Sequence, residues 1–111
     1  MSIDEDLVAD ILHQLQNDIL HFGWMVNMVK RHQPDFTEQQ AIDKLLQVVV
    51  QMHADGQIVV GQSNSKDGVM VIDAWPEKGQ QLLERLVETI GQYEDLARDF
   101  CFWIEDAKHH R

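Results

Sequence analysis

Residues 58–76 read Ile58-Val59-Val60-Gly61-Gln62-Ser63-Asn64-Ser65-Lys66-Asp67-Gly68-Val69-Met70-Val71-Ile72-Asp73-Ala74-Trp75-Pro76. Two β-branched runs, Ile58–Val60 and Val69–Trp75, flank an eight-residue segment of turn formers, Gly61 to Gly68. That pattern predicts a β-hairpin over about 57–75 with a long tip. Pro76 closes the second strand, because it has no N–H for a ladder and is excluded from strand interiors. Alternation along the second strand puts Met70, Ile72 and Ala74 on one face and Val69, Val71 and Trp75 on the other. Ile58–Val60 is expected to pair antiparallel with Val69–Ala74, and the hairpin to pack on the helix before it.

That helix is signalled by Thr37 and Gln40, which form a capping box, with Phe36 placed to staple onto Ala41. Ile42, Leu45, Leu46, Val49 and Met52 mark its buried face, and Gly56 supplies a left-handed stop, so it spans roughly 37–54. Further upstream, Ser2 and Glu5 have the form of another capping box, and Ile3, Leu7, Ile11, Leu15 and Ile19 form one apolar stripe. Gly23 then interrupts, and a second face of Phe22, Met25, Val26 and Val29 runs out before Pro34, as one bent helix or two. Downstream, Leu82, Leu83, Leu86, Val87 and Ile90 are spaced for a helix ending at Gly91. Over 94–108 the spacing of Leu96, Phe100, Trp103, Ile104 and Ala107 favours a helix. The alternation of Phe100, Phe102 and Ile104 offers a strand instead. The expected fold is α+β and mainly helical, one domain over 1–111: three N-terminal helical segments, the hairpin, and one or two C-terminal helices.

The order helix, helix, helix, hairpin, helix, with the hairpin leaving directly from Ala54-Asp55-Gly56, resembles a winged-helix domain over residues 4–75. Ile42 to Gly61 also looks like a segment of small bacterial proteins of uncharacterised family, some suspected to be immunity or other interaction proteins. A DNA-reading winged helix implies basic groups on a helix and on the wing. Here the helix over 37–54 carries only Lys44 against Glu38 and Asp43, and the hairpin tip only Lys66 against Asp67.

The 111 residues contain 19 acidic and 9 basic side chains, a formal net charge of -10. Such a chain is poorly suited to affinity that comes from neutralising phosphates, so no nucleic-acid partner is expected. The one cysteine, Cys101, excludes an internal disulfide and points to a reducing, cytoplasmic setting. The N-terminus is acidic where a signal peptide is basic, and no apolar run approaches the ~20 residues of a membrane span.

No catalytic or cofactor motif is present. His13 and His21 sit eight residues apart on what reads as one helix, a permissive metal spacing better explained as a solvated stripe. Cys101 has apolar and acidic neighbours, which oppose thiolate formation, so it reads as a core residue. Phe22, Trp24, Met25, Met28 and Val29 point in several directions from one helix, more than a single stripe buries, which predicts a homodimer or partner interface there. Asp4, Asp6, Asp10 and Asp18 lie in a segment without Lys or Arg and form a candidate acidic docking surface. Together these favour a non-enzymatic protein-interaction domain (adaptor, inhibitor or immunity-type protein) with no cofactor. The alternative is a winged-helix transcription regulator whose Lys30, Arg31, His32, Lys44 and Lys66 gather on one side.

Overall fold

The computed structural model describes residues 3–110. Helix α1 (Ile3–Leu15) buries Leu7, Ile11 and Leu15 along the expected stripe. The Ser2 half of its expected capping box lies outside the described residues. The helix stops at Leu15, well short of Gly23, and a turn leads into a two-residue strand, β1 (Leu20–His21). Helix α2 (Phe22–His32) therefore has Gly23 inside its first turn instead of a break at that point. Helix α3 (Glu38–Ala54) has both halves of the Thr37/Gln40 capping box in place, and Gly56 follows its end at φ +74°.

Two strands follow, β2 (Ile58–Lys66) and β3 (Val69–Ala74), and their hairpin differs from the expected one. Its tip is only Asp67-Gly68, with φ of +52° and +79°, a two-residue turn whose left-handed backbone suits the strand twist. The polar run Gly61–Lys66 is strand and pairs with Val69–Ala74, while Ile58–Gly61 pairs with a different segment altogether. That segment lies near the C-terminal end of the chain. After α4 (Gly79–Gln92) and the short α5 (Asp95–Asp99), the chain enters a strand, β4 (Trp103–Asp106), where a helix was favoured. β4 lies between β1 and β2, giving the antiparallel order β1-β4-β2-β3. Its two open sides are filled by pairing with distant residues, which outweighs the helical spacing of Trp103 and Ala107.

Leu20, Val60, Phe102 and Ile104 turn to one face of this sheet and join the helices in one core cluster. Trp75 joins it from the end of β3, its ring 6.5 Å from that of Phe102. α2 is enclosed by α1, α3, α5 and β1, so it buries residues on several sides at once. Phe22, Met25, Met28 and Val29 are accordingly at most 1% exposed within a single chain. The expectation that they exceed what a monomer can bury is overturned. No helix among the described residues is long and apolar enough to cross a membrane.

Candidate functional site

β1 ends on His21 and α2 begins on Phe22, so the strand turns into the helix with no residue between. His21 stands across from Trp103 in the β1–β4 ladder. Both side chains take the outer face of the sheet, opposite Leu20 and Ile104, because successive residues alternate. Their rings meet edge to face at 5.2 Å, and Phe100 tilts against both, 4.5 Å from His21 and 5.9 Å from Trp103. His21 Nδ1 lies 3.0 Å from the Asp99 carbonyl and 3.2 Å from the Trp24 amide nitrogen. A protonated Nδ1 donates to the former and an unprotonated one accepts from the latter, so either tautomer is held.

Trp24 sits in the first turn of α2, 45% exposed, and its Nε1–H donates to Gln14 Oε1 of α1 at 2.7 Å. Met70 of β3 lies at the same place. Trp24, His21, Trp103, Met70, Gln14 and Asp18 thus line an open cleft of about 370 Å³, within the usual range for ligand clefts of about 300–1,000 Å³. Among the described residues, Asp18 is its only carboxylate, and no Lys or Arg lines it. The Trp103 indole N–H is shut off from water and has no acceptor among the described residues. The positive end of the α2 dipole is met by Asp99, whose carboxyl lies so close over Gly23 that a Cβ there would come within 2.6 Å of it.

No family model matches the chain, and neither does any curated protein or solved structure. The site therefore has to be read from its own geometry.

Of the five residues expected at an interface, only Trp24 is presented to solvent; the other four are core. The four acidic candidates also divide. Asp4 is 3.1 Å from Lys44 Nζ and Asp10 is 3.0 Å from His32 Nε2, so both are engaged internally. Asp6 is exposed, and Asp18 joins the aromatic cleft. His13 and His21 do not share a helix, since α1 ends between them, and no group of three or more metal-ligating side chains occurs among the described residues. His21, Trp103 and Met70 escaped sequence reasoning because three separate segments supply them. The one available signal was the alternation of Phe102 and Ile104, which sets Trp103 on the opposite face.

Cys101 is 3% exposed. Burial, the largest influence, pushes its thiol up to about 11, while nearby Arg98 pulls weakly the other way. A thiolate nucleophile is thereby disfavoured. Iodoacetamide is expected to label native Cys101 at pH 8 far more slowly than the urea-unfolded chain, as followed by mass spectrometry. The folded thiol keeps its proton where the unfolded one, near 9, releases it. The unfolded state then binds fewer protons, so stability falls as pH rises from about 9 to about 11.

Proposed function

We propose that the protein is a non-enzymatic interaction domain that docks a basic protein partner, as an adaptor, inhibitor or immunity-type protein does. The observation that carries this reading is the cleft: aromatic rings and a methionine beside one carboxylate, with no basic side chain in the lining among the described residues. Aromatic and Met side chains are the types enriched in interfaces, and a chain of net charge -10 steers a basic partner toward them. The order α1-β1-α2-α3-β2-β3 also suits a winged-helix-like domain, here with the wing serving protein contact.

DNA binding is the weaker reading because the basic groups it would use are already answered. Lys30 lies 3.6 Å from Glu38, His32 3.0 Å from Asp10 and Lys44 3.1 Å from Asp4. Arg31 and Lys66, the remaining two, release too few counterions to overcome the net repulsion.

Proximity labelling in the native cell would nominate basic partners, and calorimetry between the two purified proteins makes the test. Expected is a dissociation constant of about 1 µM or below that weakens severalfold between ~50 and ~300 mM salt. Random duplex DNA is expected to give no gel shift at about 1 µM protein and ~150 mM salt. Sub-micromolar DNA binding under those conditions, or nominated partners that do not bind when purified, would overturn the proposal.

A further inference from the structure

We infer that the cleft receives an arginine side chain of the partner, its guanidinium stacked on the Trp24 indole and its charge answered by Asp18. This rests on the docking reading above and gives it a chemistry. A planar, weakly hydrated guanidinium is attracted to the negative face of an aromatic ring, most strongly to tryptophan. The chain already pairs two of its three tryptophans this way: the Arg85 guanidinium lies 4.3 Å from the Trp75 ring centre, and that of Arg31 lies 5.8 Å from Trp24. Trp75 is buried and fully used. Trp24 is not, for Arg31 stands near the ~6 Å limit of the interaction and does not line the cleft.

The charge around the cleft selects the same guest. The positive end of α2 would repel a cation, but the Asp99 carboxyl over Gly23 offsets it. Asp18 makes no ion pair among the described residues; its one hydrogen bond accepts the Ile19 amide at 2.8 Å. An anionic guest would meet that carboxylate with no basic side chain among the described lining residues to balance it. A lysine ammonium is compact and strongly hydrated, so it gives up more water than a guanidinium to sit against rings.

The three indole N–H signals of the ¹⁵N-labelled full chain supply the test, with a short Gly/Ser peptide carrying one arginine as the probe. Trp24 and Trp103 should shift along one saturable curve while Trp75 stays in place. Replacing the arginine by citrulline, its neutral isostere, should weaken binding about tenfold, and by lysine about threefold. Asp18→Asn and Trp24→Leu should each weaken it about fivefold; both positions are exposed, and an unchanged Trp75 signal reports intact folding. Equal binding of the citrulline peptide, tighter binding of the lysine peptide, equal shifts at Trp75, or variants that bind like the parent would each overturn the inference. A purified protein partner that binds Asp18→Asn and Trp24→Leu as tightly as the parent would overturn the cleft while leaving the docking role intact. Loss of all partner binding in the parent would remove the docking role itself.

Discussion

Replacing Gly61 by alanine is expected to destabilise the protein by about 3 kcal/mol or more, a large part of the usual 5–15 kcal/mol total. Gly61 lies in the middle of β2, opposite Trp103 on one side and Ala74 on the other. A Cβ at this position would stand 1.9 Å from the Asp73 carbonyl oxygen and 2.7 Å from its carbon. The obstruction is backbone, so no side-chain rotation relieves it. Relief requires β3 to move away from β2, and that opens the hairpin and withdraws Met70 from the cleft. Urea denaturation should show the midpoint falling by more than about 1 M at an unchanged slope. An alanine variant within about 0.5 kcal/mol of the parent would contradict the close approach of the two strands.

Met25→Asp is expected to leave the chain without a cooperative fold. Met25 is 0% exposed within a core cluster that, among the described residues, consists of hydrophobic side chains only. Burying an unpaired charge costs several kcal/mol even after relaxation, on the scale of the whole stability. Met28→Asp should behave alike for the same reason. Met25→Leu, which keeps volume and polarity, should cost less than about 1.5 kcal/mol. Val87→Asp, at a 56% exposed position of α4, should melt much as the parent does. Circular dichroism melts of the four variants decide the matter. A cooperative melt for Met25→Asp, with altered association in sedimentation, would return this segment to the surface.

α3 was legible almost to the residue because its signals are local: Thr37, Gln40 and Gly56 act on their own neighbours in the chain. The hairpin was legible in kind but not in register. Gln62 to Ser65 has the composition of a loop, yet these side chains face solvent on a paired strand, and strand composition reports burial as much as backbone preference. Asp67-Gly68 carried the correct turn within the same run. The path of residues 100–106 was out of reach, since its strand depends on Leu20, His21 and Ile58–Gly61, none of them nearby in sequence. The error over Met25 and Met28 has the same root. How many sides of α2 are covered depends on a sheet edge and three helices that periodicity within α2 does not reveal. Trp24 and Asp18 were singled out by type, but the cleft that unites them exists only once β1 and β4 are paired.

The central position of β4 orders events during synthesis. A hairpin made early has only its own partner strand, and β1 has none, until residues 103–106 have left the ribosome and slipped between them. Until then β1 and the β4-facing side of β2 present unpaired N–H and C=O groups, the kind of edge that invites association with other chains. Closing loops of this length raises the contact order and slows the final step. The sheet is thus complete only once β4 is in place, and the cleft, one wall of which is Trp103, comes into being only in that step.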